Sequence, residues 1–326
     1  MKENDGNSTL CLFSVVLSVL FTVVFFFLVI ESARVIDGFF LGSFPDSGEI
    51  IPSLRPICYV AFGVTIFLML LGFVVSKTHS SVAGAFFMYL PTFGYFTAAM
   101  IPLAGIGLLR LLWLPLLDVS PSILRLRDVA FAPFIFLVNQ FGMNGFIFIE
   151  VISSLLMVAG VFIFFFGVLT WLFGKFRGRG IVDFWIYDIS RHPQYLGLLL
   201  WSYGQTLLMI FMPQFSGIWF LDLLPEPSLP WVIYALILVA VALDEETKMT
   251  KEYGENYRKY CNHASFMLPL PRMIENSITF PVKALFKKNQ PSNKKEITCS
   301  MLIYAAILIF LSAFFLTNAR LPIFTH

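Results

Sequence analysis

Long apolar runs alternate with short polar or charged breaks along this chain. A helix needs about 20 consecutive apolar residues to cross a bilayer, and runs of that kind lie at 10–30, 54–75, 83–104, 146–173, 192–212, 230–243 and 299–318. The pattern predicts an all-α, polytopic integral membrane protein with about seven transmembrane helices. The run at 230–243 continues without a turn signal into DEETKMTKEYGENYRKYCNHASFMLPLP (244–271), so one helix is expected to leave the membrane as a polar extension. Between 105 and 145 the chain is apolar but broken by Arg110, Pro115, Asp118, Pro121, Arg125, Arg127, Pro133 and an NQFGMNG turn. Interfacial or re-entrant helices fit that segment better than an unbroken span. The first run is too long for a signal-peptide core and ends without a small-x-small cleavage site, so it reads as a retained span.

Composition agrees with this class. Of 326 residues, 58% are hydrophobic and 13% charged, and Phe occurs 38 times, outside the range of soluble globular chains. A formal net charge of +2, with the basic residues scattered between apolar runs, gives no indication of a nucleic-acid partner. Cys11, Cys58, Cys261 and Cys299 have neither CxxC spacing nor a His at ligand spacing, so neither a metal site nor a disulfide framework is expected. Lys175, Arg177 and Arg179 in the loop GKFRGRG, and the many basic residues of 248–295, place both segments on the cytoplasmic side. That orientation puts the N-terminus inside and the C-terminus outside, with Arg125 and Arg127 against the rule. KKNQPSNKK (287–295) reads as a flexible cytoplasmic connector.

The segment SRHPQYLGLLLWSYGQ (190–205) opens a membrane helix with charge. Ser190 is a candidate cap for a helix whose first turn tolerates Pro193. At about 100° per residue, His192, Tyr195, Leu199, Ser202, Tyr203 and Thr206 share an arc of roughly 100°. Polar groups on a membrane helix usually face a cavity or a neighbouring helix, although Ser202 and Thr206 can also bond their own helix carbonyls. Gly197 and Gly204 form a second stripe that permits close helix approach. On the later extension, Glu246, Tyr253, Tyr257 and Tyr260 fall on one face of a long helix within about 60°. A pair between Glu246 and Arg191 would account for both charges at neighbouring helix mouths.

Together, RHPQYLG (191–197) and EETKMTKEYGENYRKY (245–260) resemble the isoprenylcysteine carboxyl methyltransferase and phospholipid methyltransferase-like membrane family. Arg191, His192, Pro193, Tyr195 and Gly197 match its RHPxYxG motif. Glu245, Glu246, Tyr253, Gly254, Tyr257, Tyr260 and Pro269 match the Glu-Glu, Tyr-Gly-x-x-Tyr-x-x-Tyr and terminal Pro pattern. The resemblance covers 146–271, leaving 1–145 as an N-terminal membrane region and 272–326 as connector and last span. It implies methyl transfer from S-adenosylmethionine, bound at the cytoplasmic face, to a lipophilic acceptor such as a prenylated cysteine or a membrane lipid. By the same resemblance, His192, Tyr195, Gly197, Glu245, Glu246 and Tyr257 would contact the cofactor, and Arg191, His192 and Glu246 would be catalytic. A carboxylate acceptor needs no acid–base group, whereas an amine must lose a proton, for which His192 or a glutamate is placed. Asp183 and Asp188 add negative charge near the mouth and would repel an acidic acceptor.

Two rival readings stay open. Membrane sterol and steroid reductases carry PNYLG-like and YGxxWxxYC-like motifs, and Cys261 after Tyr260 is shared with them, but this chain has Leu198 after the glycine and Tyr257 where they carry Trp. The other rival is a non-catalytic membrane lipid-binding protein in which Arg191 and Glu246 form a structural ion pair. His263, in a loop, has no expected role.

Overall fold

The computed structural model of the protein describes residues 2–41, 47–74, 114–119, 130–211, 228–288 and 290–318. Every regular element among them is helical: α1 (Lys2–Leu41), α2 (Ser47–Val74), α3 (Leu114–Val119), α4 (Ala132–Phe141), α5 (Met143–Phe176), α6 (Ile186–Ile189), α7 (Pro193–Phe211), α8 (Ser228–Tyr253), α9 (Glu255–His263), α10 (Arg272–Phe286) and α11 (Lys294–Asn318). The only strand-like pairing among the described residues is an isolated parallel bridge between Ser190 and Ser265.

Three of these helices are long and apolar enough to cross a membrane, through Ser8–Phe27 of α1, Asn144–Phe176 of α5 and Lys294–Phe314 of α11. A shorter apolar stretch, Arg55–Leu68, lies in α2. The runs at 192–212 and 230–243 form α7 and α8, which are not among the three, and the run at 83–104 lies outside the described residues. Exposed Leu155, Phe162 and Phe166 on α5 and Leu302 and Phe310 on α11 are the surfaces lipid would solvate.

The chain separates into two compact units. One comprises Met1–Phe27, Leu156–Ser202 and Ala242–Ser300; the other comprises Leu28–Leu155, Tyr203–Val241 and Met301–His326. In the first, α5 and α7 cross at glycines. A Cβ on Gly197 would lie 2.6 Å from both the Gly160 carbonyl oxygen and the Phe164 nitrogen, and one on Gly160 would lie 2.5 Å from the Trp201 nitrogen. About two turns further along α5, a Cβ on Gly167 would likewise meet Gln194 and Pro193. The small-residue stripe expected on α7 therefore works at Gly197, against a glycine stripe on α5. Aromatic rings close this core: Phe164 stacks with Phe25 at 5.3 Å, and Phe26 meets Trp201 edge-on at 4.7 Å.

In the second unit, Gly142 takes φ +53° and separates α4 from α5, so the NQFGMNG segment does turn the chain between two helices. Phe131 is fully buried, stacked on Tyr203 at 4.9 Å, and the Tyr203 hydroxyl donates to the Ala130 carbonyl at 2.7 Å. Asp118 at the end of α3 accepts from Tyr59 and pairs with Arg55, both on α2, at 2.8 and 3.2 Å.

Gly197→Ala is expected to lower the thermal midpoint of the detergent-purified protein, because the added methyl meets backbone that cannot yield, an overpacking effect of about 1–3 kcal/mol. Gly63→Ala, where a Cβ meets nothing within 4 Å, should leave the midpoint unchanged or raise it. Equal effects at the two sites would show that the glycine crossing is not a tight contact.

Candidate functional site

The site is assembled from three stretches of the first unit, none of which brings it together alone. After α6 the chain extends through Ser190 and Arg191 before Pro193 starts α7; the first bond of that helix runs from the Leu196 N–H to the His192 carbonyl at 3.0 Å. Ser190 is not the cap expected from its position. Its backbone is extended and bridged to Ser265, and its buried Oγ has no hydrogen-bond partner among the described residues. The bridge consists of the Ser265 N–H donating to Ile189 at 3.1 Å and the Arg191 N–H donating to Ser265 at 2.9 Å.

The second stretch is the polar extension, and it is not one continuous helix. Gly254 adopts φ +55°, a left-handed conformation that favours glycine, so α8 stops at Tyr253 and α9 starts at Glu255. The face expected to hold Glu246, Tyr253, Tyr257 and Tyr260 is therefore divided. Glu246 stays on α8, and the Tyr253 ring covers Gly180, where a Cβ would meet it at 2.7 Å. Tyr257 is buried on α9, and Tyr260 donates to the Tyr187 carbonyl at 2.7 Å. This break folds 261–266 back against Arg191.

Arg191 and Glu246 form the centre, with side chains only 4% and 5% exposed. Arg191 Nε donates to Glu246 Oε1 at 2.5 Å, and Nη1 donates to the carbonyls of Cys261 and Ala264 at 2.8 and 2.6 Å. The Gln290 carboxamide, in the orientation that satisfies both of its ends, accepts from Arg191 Nη2 at 2.9 Å and donates to Glu246 Oε2 at 3.2 Å. The guanidinium carbon lies 5.8 Å from the centre of the Phe266 ring. Burial pushes the Glu246 carboxyl up, but His192 and Arg191 outweigh it and hold the group below the usual carboxylate value. Burial likewise pulls Arg191 down, and the Glu246 charge and hydrogen bond reverse that, so the pair is fully ionised.

His192 joins the pair to a more open layer. Its Nε2 lies 3.3 Å from Glu246 Oε1, and because a carboxylate only accepts, that nitrogen is the donor. Its Nδ1 is 3.9 Å from Glu245 Oε2, its ring stacks with Tyr195 at 5.8 Å, and Phe266 meets it edge-on at 5.2 Å. The Tyr195 hydroxyl donates to Glu245 Oε1 at 2.7 Å. Glu245 keeps 37% of its side chain exposed, against 8% for His192. Neighbouring glutamates thus differ sharply: Glu246 is enclosed and saturated, whereas Glu245 stays partly exposed beside the Tyr195 hydroxyl.

Arg191, His192, Tyr195, Glu245, Glu246 and Tyr257 are gathered in this unit, as the two-motif reading expects. Gly197 is buried at the crossing with α5 and serves helix packing. The lower part of the predicted polar stripe does not join the cluster: Ser202 donates to Leu199 of its own helix at 3.1 Å, and Tyr203 is engaged with Ala130. The mouth acids have local partners, Asp183 in Arg179 at 3.3 Å and Asp188 in the His263 ring at 3.0 Å. Sequence reasoning missed Gln290, Phe266 and the two carbonyls that hold Arg191, and no spacing rule links these positions to RHP. It also assigned 287–295 to a flexible connector. Within it the Ser292 N–H and Lys288 Nζ donate to Glu296, and Asn293 caps α11 through the Glu296 N–H at 2.9 Å.

No family model matches the chain, nor does any curated protein or any solved structure.

Removing one member of a buried pair leaves the other charge uncompensated, so Glu246→Ala is expected to destabilise the protein by about 3–5 kcal/mol. Because folding lowers the Glu246 pKa from 4.5, its stabilisation is complete above that value and is lost as pH falls through the folded one. Midpoints followed from neutral to strongly acidic pH should fall more steeply for the natural protein than for Glu246→Gln; parallel curves would exclude the pair as the source.

Proposed function

We propose that this protein is an integral-membrane methyltransferase that takes S-adenosylmethionine and methylates a lipophilic acceptor, such as a prenylated cysteine carboxylate or a membrane lipid. The observation that carries the proposal is the half-exposed Glu245 carboxylate, held by the Tyr195 hydroxyl beside the stacked His192 ring. A partly exposed carboxylate, held by one tyrosine hydroxyl and 3.9 Å from His192 Nδ1, suits a ligand bearing fixed positive charge. S-adenosylmethionine, when bound, supplies a methyl group already activated on a sulfonium sulfur.

In this reading the chain's own residues divide the work by depth. Arg191 and Glu246 are positioning residues whose hydrogen bonds are taken up by protein groups, so their effect passes through His192 and the strand-like 189–191 segment. Glu245 and Tyr195 bind the ligand's cationic part. His192 is the group placed to accept a proton if the acceptor is an amine, and no proton acceptor is needed if it is a carboxylate. Rate then depends chiefly on alignment and on exclusion of water, which the buried aromatic residues favour. The seven-span, cytoplasm-facing topology read from the apolar runs and the basic loops belongs to the same proposal. It lets a lipophilic acceptor arrive laterally from the bilayer.

The saturation of Arg191 also supports a second reading, in which the cluster is only a structural ion pair of a lipid-binding membrane protein.

Calorimetric titration of the detergent-purified protein separates these readings. Saturable binding of S-adenosylmethionine is expected, weakened at least about tenfold, or 1.4 kcal/mol, by Glu245→Gln, with the thermal midpoint unaltered. Binding of NADPH in its place would sink the methyltransferase reading in favour of a reductase. Binding of neither would favour the structural pair.

A further inference from the structure

The helix α10 carries a second amphipathic pattern that the site does not use. At 100° per residue, Met273, Ile274, Ile278, Phe280 and Leu285 fall within an arc of roughly 160°. All five are exposed, Met273 by 83% and Phe280 by 67%, whereas Val282 at the edge of the arc is buried. Ser277, the polar residue within the arc, has its hydroxyl taken up by the Met273 carbonyl at 2.9 Å. The opposite side holds Glu275, Thr279 and Lys283, and Lys283 donates to Asn276 at 2.8 Å. Single exposed apolar side chains are ordinary on a protein surface, but five contiguous large ones on one helix face mark a partner surface.

What covers this face follows from the chain around it. The next helix, α11, begins at Lys294 as one of the three candidate spans. Residues 287–293 connect the two helices and reach at most about 25 Å when fully extended, so α10 is tethered near the point where α11 enters the bilayer. Lys287 follows the C-terminal end of α10 and places a positive charge where the apolar arc ends, whereas Lys283 lies on the opposite side and Lys288 pairs with Glu296 at 2.9 Å. An apolar arc that ends at a lysine and is tethered to a candidate span matches the boundary between acyl chains and headgroups.

We propose that α10 is an interfacial helix that lies in the plane of a membrane surface, with Met273, Ile274, Ile278, Phe280 and Leu285 in the acyl boundary and Lys287 at the headgroups. This surface binds lipid whether or not the Arg191 cluster binds a methyl donor.

Photo-crosslinking in the full chain tests it. Benzoylphenylalanine is placed singly at Phe280, at Met273 and, as the polar-side control, at Thr279, in protein reconstituted into vesicles of phosphatidylcholine and phosphatidylserine. Covalent lipid adducts, read by the mass of the peptide containing α10, are expected at Phe280 and Met273 several-fold above Thr279. Because both positions are exposed, the substitutions should not perturb folding, and an unchanged thermal midpoint checks this. Adducts no more frequent than at Thr279 would overturn the proposal by assigning the face to water. A crosslink to a second copy of the chain in place of lipid would overturn it in favour of self-association.

Discussion

The buried ion pair between Arg191 and Glu246 is the interaction on which the cluster depends. Neither charge is tolerable alone at 4–5% exposure. Each is met several times over, by the partner, by His192, by the carbonyls of Cys261 and Ala264, and by Gln290. Those contacts bind four chain segments: the start of α7, the end of α8, the stretch after α9 and the connector before α11. An apolar substitute of similar volume would be easier to bury, but it would not dictate which carbonyls and which carboxylate must converge.

That convergence produces a gradient of polarity across two adjacent glutamates. Glu246 turns inward and is consumed by protein groups; Glu245, one residue earlier on α8, takes the Tyr195 hydroxyl and remains half exposed. On a helix, successive side chains differ by about 100° in direction, so a Glu-Glu pair at a helix mouth naturally presents one carboxylate to the interior and one to the outside. His192 touches both layers, which makes its ring orientation sensitive to each. A ligand that engages Glu245 would therefore be aligned by a frame it need not contact.

Packing of a different kind supports this frame. Polar groups give direction at the mouth, while glycines give proximity along α5 and α7: at Gly160 and Gly197 the backbones approach so closely that no Cβ fits. In an apolar environment, where burial of side chains from lipid gives little net drive, close backbone approach and dispersion become the main source of helix association. The aromatic rings of α1 pack around Phe164 and Trp201 beside the crossing.

Much of this was legible in the residues. Apolar runs pointed to the all-helical character, and among the described residues three of them lie in helices long and apolar enough to cross a membrane. The charges at 191 and 246, each at a helix mouth, made their pairing a reasonable expectation, since both had to be neutralised. Local reasoning failed where conformation depended on distant neighbours. Ser190 has the chemistry of a cap, yet its backbone is claimed by Ser265; Gly254 fits a helical period, yet it breaks the helix so that 261–266 can return to Arg191; the lysine-rich connector has a disordered composition, yet Glu296 and Gln290 give it partners. Composition and periodicity describe what a segment can do by itself, and they determined the all-helical class and where the long apolar helices of the described residues lie. Which glutamate is enclosed, which is exposed and what holds the arginine were decided only by the tertiary structure, because those outcomes depend on groups 50 to 100 residues apart meeting within hydrogen-bond distance.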